Sequence, residues 1–286
     1  MIQEFCGMIK FFLCVLLTLP IIVQGHSTGL VFHKTEETLA KVEEIISKKK
    51  KGCYLRFGDG DVYLALGRDD SYQDANHRLK YEMRETIRLN HQNIIKCLPL
   101  HCEEFKGWEP GMFPGNHESS YKACKQILTA VTPLWGAEIA DVYSPVALHF
   151  LATTDERRCI QFLRYLRSSK RIILVGNENI PLEIRQLLFG VDSEFVPTPP
   201  QQSYAAMDRI ENDCCTLLED ASDYTIVVTS MGCSGRVLQK RLWKKRDNIF
   251  LFDFGSLMDA LCGWNTRAWI ELSGFDKDRF LDNLRG

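Results

Sequence analysis

The feature of this sequence that most constrains its fold is an alternation of short β-branched runs with helical segments. Strand-like apolar runs occupy residues 53–57, 94–98, 171–175, 195–196, 224–229 and 249–252. Helical periodicity appears in residues 157–167, 182–188, 204–221 and 235–245, and after Thr35. Because strands that alternate with helices pair in parallel, the sequence predicts an α/β fold with a mainly parallel sheet.

The composition is that of one globular domain. Of the 286 residues, 45% are hydrophobic and 25% charged, which excludes disorder as the main state. The formal net charge of -2 gives no indication of a nucleic-acid partner. No linker or low-complexity stretch divides the chain after the N-terminal segment, so residues 26–286 are expected to form a single domain.

The N-terminal segment has the layout of a signal peptide. Lys10 precedes an uncharged apolar run over residues 11–23, which is short for a bilayer span, and Val23 and Gly25 suit a cleavage site. We expect residues 1–25 to be removed, leaving no stable membrane span and placing the protein in the secretory pathway, in the ER or Golgi lumen or outside the cell. The alternatives are an uncleaved membrane anchor and a buried N-terminal helix.

A glycine-rich acidic stretch, Arg-Phe-Gly-Asp-Gly-Asp at residues 56–61, follows the first strong strand. Asp59 and Asp61, in an exposed turn, are predicted to be metal ligands and catalytic residues, since Mn²⁺ or Mg²⁺ prefers carboxylate oxygens. Arg56, Gly58 and Gly60 are predicted to contact the phosphates of a nucleotide. The alternative is an ordinary turn whose aspartates bond to their own backbone.

A second small-residue turn, Ser-Met-Gly-Cys-Ser-Gly at residues 230–235, joins a strand to a helix. Ser230, Gly232 and Ser234 are predicted to bind a cofactor phosphate at the helix N-terminus. Asp253 ends the next strand, so Ser230 and Asp253 should lie at the same edge of the sheet. The same pattern also fits an enzyme that uses NAD or S-adenosylmethionine, or a plain tight turn.

These motifs together resemble the GT-D fold glycosyltransferases. The stretch at residues 56–61 looks like that family's Arg-x-Gly-Asp-Gly-Glu signature. Later segments follow in the family's order: Leu174-Val175-Gly176, then Val196-Pro197 with Ser203-Tyr204 and Asp208-Arg209-Ile210, then Ser230-Met231-Gly232 with Asp253-Phe254-Gly255. Three positions differ from the family pattern: Asp61 replaces Glu, Asn177 replaces Pro, and Ser256 replaces His.

The resemblance implies a Rossmann-like fold, with helices on both faces of the sheet, and a glycosyltransferase that uses a UDP-sugar and Mn²⁺. The acceptor would be a glycan or another hydroxyl compound. In the family, the acidic motif lies near the metal and the nucleotide, and it maps onto Asp59 and Asp61. The alternatives are an enzyme dependent on NAD or S-adenosylmethionine and a catalytically inactive nucleotide-binding module.

Residues on the acceptor side are less specified. If the transfer needs a general base, Asp253 and Glu178 are candidates at strand ends, where open α/β sheets bind ligands. His117 and Glu118 are candidates for contacts to a sugar hydroxyl, and Trp108 for stacking on a sugar ring. The alternative for each of them is a structural role in the loop, which is the commoner role of such residues.

Overall fold

The computed structural model describes residues 31–98, 133, 141–219 and 223–286, which belong to one compact unit, Val31–Gly286. The proposed signal peptide, Trp108, His117 and Glu118 lie outside the described residues. Within the described part, no helix combines the length and the apolar character needed to cross a membrane.

The described residues build an eight-stranded sheet in which every pairing is parallel. The strand order across the sheet is β1-β4-β3-β2-β8-β7-β5-β6. The strands are β1 (Val31–His33), β2 (Gly52–Arg56), β3 (Ile94–Cys97), β4 (Asp141–Tyr143), β5 (Ile172–Asn177), β6 (Glu194–Thr198), β7 (Thr225–Ser230) and β8 (Ile249–Asp253). The predicted parallel sheet is confirmed, and the very short strands β1 and β4 are additional to it.

Helices separate the strands along the chain. They are α1 (Thr35–Ser47), α2 (Asp59–Leu66), α3 (His77–Arg88), α4 (Ala147–Thr154), α5 (Glu156–Arg167), α6 (Leu182–Phe189), α7 (Met207–Glu219), α8 (Ser234–Lys245), α9 (Leu257–Leu261), α10 (Ala268–Leu272) and α11 (Lys277–Arg285). A 3₁₀ turn, Ser203–Ala206, precedes α7. The helix predicted over residues 204–221 is therefore this 3₁₀ turn followed by α7.

The sheet is covered on both faces. Because successive side chains of a strand point to opposite faces, Phe250 and Phe252 of β8 pack into a core with α1, α4, α5 and α6. Leu251, between them, is equally buried, on the face where α8 contacts β2, β7 and β8. Helices α3 and α7 pack beside α8 on that second face. The expected arrangement of helices on both faces is confirmed.

The connections reverse direction between β5 and β7, which are neighbours in the sheet. From β5 the chain passes through α6 to β6 at one side, whereas from β7 it passes through α8 to β8 at the other side. Loops that leave neighbouring strands in opposite directions leave a crevice at the carboxyl ends of those strands. This reversal fixes the position of the site described below.

Strands β7 and β8 are parallel neighbours, as predicted, with Thr229 in register with Asp253. Ser230 and Asp253 consequently lie at the same edge of the sheet, where the strands end. We call this side the carboxyl edge. The expectation that the two residues share it is confirmed.

One local prediction is wrong. The acidic stretch was expected to be an exposed turn, but Asp59 and Asp61 lie in the first turn of α2 and Asp61 is only 1% exposed. The Asp61 Oδ2 atom accepts a hydrogen bond of 2.6 Å from the backbone N–H of Gly58, just before the helix. Aspartates next to glycines are typical both of turns and of helix N-termini, so the sequence pattern does not separate the two.

Candidate active site

A cleft of about 250 Å³ opens at the carboxyl edge, where the chain direction reverses. Its floor includes the last residues of three strands, Asn177 of β5, Thr198 of β6 and Ser230 of β7. Its walls come from the turn that precedes α8, from residues 199–203, and from two other segments around Gln73 and Arg267. The cleft therefore lies where open α/β sheets bind their ligands.

The turn at residues 230–234 gives this cleft its character. Gly232 has a left-handed backbone (φ +60°), and a Cβ atom built on it would meet nothing within 4 Å. Ser234 is the first residue of α8, and the N–H groups of the next two residues, Gly235 and Arg236, donate to the carbonyls of Gly232 (3.0 Å) and Cys233 (3.2 Å). An exposed glycine backbone before a helix N-terminus favours the close approach of an anion. The predicted cofactor residues Ser230, Gly232 and Ser234 all line the cleft.

The hydroxyl of Ser234 also has a structural partner, because its Oγ lies 3.1 Å from Gln73 Oε1. Gln73 Oε1 accepts a second hydrogen bond from the backbone N–H of Tyr204 (3.0 Å), and its Nε2 donates to Gln202 Oε1 (3.0 Å). Buried Gln73 thus ties three segments around the cleft together. Gln73 could not be predicted from the sequence, because a lone glutamine in a loop carries no motif.

Beside the cleft lies a buried charge cluster formed by Arg56, Asp61, Arg236 and Asp253. Arg236 Nη2 lies 3.0 Å from Asp253 Oδ2, and Arg236 Nε lies 3.4 Å from Asp61 Oδ2. Arg56 Nη1 lies 3.8 Å from Asp253 Oδ1. Arg236 therefore stands between the two carboxylates, in the place where the sequence suggested a metal ion near Asp61.

Burial dominates the electrostatics of this cluster. It raises the pKa of Asp61 to about 6, although Arg236 and the N–H of Gly58 lower it. Asp61 Oδ1 and Arg56 Nε are buried without a hydrogen-bond partner among the described residues. Asp253 Oδ1 accepts a 3.0 Å hydrogen bond from the N–H of Gly255. Arg56 and Arg236 thus both pair with Asp253, and Arg236 also pairs with Asp61.

The glycines near this cluster are required for packing. A Cβ atom on Gly60 would collide with the carboxylate of Asp70 and lie 3.2 Å from Cys233 Sγ. A Cβ atom on Gly255, whose backbone is left-handed, would overlap the Arg56 guanidinium. Gly60 therefore lets the start of α2 pack directly against Cys233, a residue of the cleft wall.

Asp59 and Asp61 differ in their surroundings. Asp59 is exposed, and its Oδ1 accepts a 3.0 Å hydrogen bond from the N–H of Gly60, whereas Asp61 is held by Gly58 and Arg236. Among the described residues, no three Asp, Glu, His or Cys side chains are grouped as metal ligands. Mg²⁺ commonly takes one or two carboxylates together with substrate phosphates. Neither Asp59 nor Asp61 lines the cleft.

The structure also adds residues that the sequence analysis did not single out. Asp259 lines the cleft, and burial raises its pKa, while the Thr266 hydroxyl, which donates to it at 2.6 Å, and Arg267 lower it. Tyr72 and Arg267 line the same cleft. Glu178, by contrast, is exposed after β5 and does not line it.

Fold and cleft together define an α/β protein with a candidate ligand site at the strand reversal. A family model described as "Glycosyltransferase GT-D fold" matches residues 54–261, well over half of the chain. This chain belongs to the GT-D fold glycosyltransferase family. The resemblance seen in the sequence motifs is thereby confirmed. Among curated protein sequences, none matches the chain.

Solved structures show the same fold. A selenomethionine-substituted structure of the domain of unknown function 1792 has a TM-score of 0.61 at 16% identity, covering 86% of this chain and 83% of that one. A second structure of this domain, described as a distinct glycosyltransferase fold, has a TM-score of 0.59 at 17% identity over the same shares. A third, a glycosyltransferase from Streptococcus sanguinis, has a TM-score of 0.55 at 17% identity, covering 80% and 82%.

Proposed function

We propose that this glycosyltransferase-family chain transfers a sugar from a UDP-sugar, bound in the cleft at the carboxyl edge, to a hydroxyl of a glycan or other acceptor. The observation that carries this proposal is the position of the left-handed Gly232 turn and the α8 N-terminus on the wall of a cleft at the strand reversal. That arrangement suits the diphosphate of a nucleotide sugar.

The diphosphate would lie against the turn at residues 230–234 and the N-terminus of α8. Thr198 supports this placement, because it is 1% exposed, lines the cleft and has an Oγ1 atom without a hydrogen-bond partner among the described residues. A buried hydroxyl without a partner is costly unless a ligand or water bonds to it. The Thr198 hydroxyl at the end of β6 and the turn after β7 would thus hold the leaving diphosphate as its charge develops.

We further propose that Asp59 holds Mn²⁺ or Mg²⁺ against the same diphosphate. The start of α2, where Asp59 lies, packs on the cleft wall through Gly60 and Cys233. When bound, the ion would neutralise charge on the leaving diphosphate. In this proposal Asp61 orients α2 and positions Arg236 rather than binding the ion, since its Oδ2 is already held by Gly58 and Arg236.

For an inverting transfer, Asp259 is the base that this geometry favours. It is a carboxylate on the cleft lining, and burial raises its pKa above the ordinary value of an aspartate, which makes it a better proton acceptor. Asp253 is 2% exposed and occupied by two arginines, and Glu178 lies outside the cleft lining. Both earlier candidates are therefore less suitable than Asp259.

The donor class is tested by ligand-dependent melting of the full chain. UDP with Mn²⁺ should raise the melting temperature, because a ligand that binds only the folded state stabilises it. NAD and S-adenosylmethionine serve as comparison ligands. Stabilisation by either of these without any effect of UDP would contradict the proposal. Release of sugar from UDP-sugars would then distinguish an active transferase from an inactive nucleotide-binding module.

The role of Asp59 is tested by Asp59→Asn. Turnover of a UDP-sugar should fall on the order of a hundredfold and should lose its dependence on Mn²⁺, since the charge that holds the ion is removed. Asp278→Asn is the matched control, because Asp278 is another exposed aspartate in the first turn of a helix. Unchanged turnover in Asp59→Asn across a Mn²⁺ titration would exclude Asp59 from the site.

We also propose that the chain enters the secretory pathway and loses residues 1–25. The support is the short apolar run over residues 11–23, followed by small residues before His26. N-terminal sequencing of the protein recovered from expressing cells should begin near His26. An intact Met1 on a membrane-bound product would instead favour the anchor.

A further inference from the structure

We propose that Arg267 is the cationic group of the cleft that binds the diphosphate, and that Tyr72 positions it. This inference rests on the proposed function, because it assigns the group that recognises the donor in the same cleft. It goes beyond that function by naming what distinguishes a nucleoside diphosphate from a nucleoside monophosphate. No motif in the sequence includes either residue.

Geometry places Arg267 on the cleft and holds it there. Arg267 and Tyr72 both line the cleft, and the guanidinium lies over the Tyr72 ring, 5.2 Å from its centroid. A cation over an aromatic face is stabilised by the ring's charge distribution. Arg267 Nη1 also donates to the Thr266 carbonyl at 3.5 Å, and stacking leaves the remaining N–H donors, on the edge of the guanidinium, available to an anion.

Arg267 differs from the other arginines of the carboxyl edge in its ion pairing. Arg56 and Arg236 are engaged by the buried carboxylates Asp253 and Asp61. Arg267 is exposed, and within the described part of the chain it makes no salt bridge and is the sole basic side chain on the cleft lining. The nearby carboxylate, Asp259, already accepts a hydrogen bond from Thr266. Arg267 is thus the cation that remains for a bound anion.

A second observation points to an anionic ligand in the same place. Thr198 is buried on the cleft lining, and its Oγ1 has no hydrogen-bond partner among the described residues. Together with Gly232 and Arg267, the cleft thus presents a hydroxyl, a glycine with open space where a Cβ atom would lie, and a guanidinium. Arginine binds phosphate oxygens through two parallel hydrogen bonds, which suits a diphosphate better than a single point charge would.

The experiment measures the affinity of the full chain for UDP, UMP and inorganic pyrophosphate by titration calorimetry. The variants are Arg267→Ala, Arg267→Lys and, as a charge-matched control, Lys170→Ala. Lys170 is exposed just before β5, at the opposite edge of the sheet from the cleft. Melting temperatures of all variants show that each protein is folded.

Arg267→Ala should weaken UDP and pyrophosphate about tenfold or more, because a charge-assisted hydrogen bond is lost. The affinity of Arg267→Ala for UMP should fall less than about threefold. The UDP affinity of Arg267→Lys should lie between those of wild type and Arg267→Ala. Lys170→Ala should bind UDP like the wild type, since a distant exposed charge is screened. In turnover assays, the KM for the donor should rise more than kcat falls.

Two failures can be told apart. If the wild type binds UDP and Arg267→Ala binds it equally well, the assignment of Arg267 is wrong while the proposed function stands. If the wild type binds neither UDP nor pyrophosphate, both proposals are overturned. Equal weakening of UDP and UMP in Arg267→Ala would also overturn the inference, because recognition would then not depend on the second phosphate.

Discussion

Two regions at the carboxyl edge of one sheet use polar residues in opposite ways. The charge cluster of Arg56, Asp61, Arg236 and Asp253 is largely buried, and its charges pair with one another, although Asp61 Oδ1 and Arg56 Nε have no hydrogen-bond partner among the described residues. The cleft beside it is open and presents hydroxyls, a glycine backbone and the exposed Arg267.

The contrast indicates what each region is for. Removing one partner of a buried ion pair strongly destabilises a protein. The cluster therefore fixes the ends of β2 and β8 against α2 and α8. An open, concave cleft lined by a few polar groups instead suits a ligand. Changes in the cluster should therefore alter stability first, whereas changes in the cleft should alter binding first.

The largest expected effect is on stability, in Arg236→Met. This change leaves Asp61 and Asp253 buried without the cation between them, which should cost about 3–5 kcal/mol of unfolding free energy at pH 7. Urea unfolding measures the loss.

The control for that change is Arg209→Met. Arg209 forms an exposed pair with Asp213 on α7, at 2.8 Å, and loss of such a pair should cost less than about 1 kcal/mol. Equal losses in the two variants would show that the cluster contributes no more to stability than a surface ion pair.

A smaller effect is expected in the pH dependence of stability. The folded pKa of Asp61, about 6, lies above its ordinary value of 3.8, so its contribution is complete below pH 3.8 and is lost as pH rises through 6. Wild type should therefore lose on the order of 2–3 kcal/mol relative to Asp61→Asn between pH 4 and pH 7. Urea unfolding at several pH values gives this difference.

Asp208→Asn should show the opposite sign. Hydrogen bonds from Arg78 and Arg241 lower the pKa of Asp208, so its contribution is lost as pH falls. If the difference between wild type and Asp61→Asn did not change between pH 4 and pH 7, the assigned pKa of Asp61 would be wrong.

The sequence predicts the framework of this molecule well, for a physical reason. Strands β2, β3, β5, β7 and β8 contain apolar runs bounded by turn residues, and β6 contains the apolar pair Phe195-Val196. A local pattern is therefore enough to find these strands. The shared edge of Ser230 and Asp253 followed from the same pattern, because parallel strands end at one edge. Strands β1 and β4 were not predicted, because a strand of three residues is too short to show a hydrophobic pattern.

The site was less predictable because it depends on contacts between distant segments. Arg236 meets Asp61 across 175 positions of sequence, and no local pattern shows that an arginine rather than a metal ion lies beside that carboxylate. Arg267 and Tyr72 are likewise far apart in sequence and meet only through the fold. The positions of Ser230 and Asp253 were predictable because both residues end strands, where topology alone fixes the position.

The smallest expected effect on stability is at two glycines, and comparing them separates the effect of the cleft from that of backbone strain. Gly232 (φ +60°) and Gly274 (φ +66°) both have left-handed backbones and open space where a Cβ atom would lie, but only Gly232 lines the cleft. Alanine at either position should cost roughly 1–2 kcal/mol of unfolding free energy. The two variants thus carry similar strain and differ in their distance from the cleft.

Calorimetric titration of UDP into these two variants tests most directly whether the cleft is the nucleotide-sugar site. Gly232→Ala should bind UDP about tenfold or more weakly than wild type, because the new methyl group keeps phosphate oxygens away from the turn. Gly274→Ala should bind UDP with unchanged affinity. Unchanged UDP affinity in Gly232→Ala, or an equal loss in both variants, would contradict the placement of the donor in this cleft.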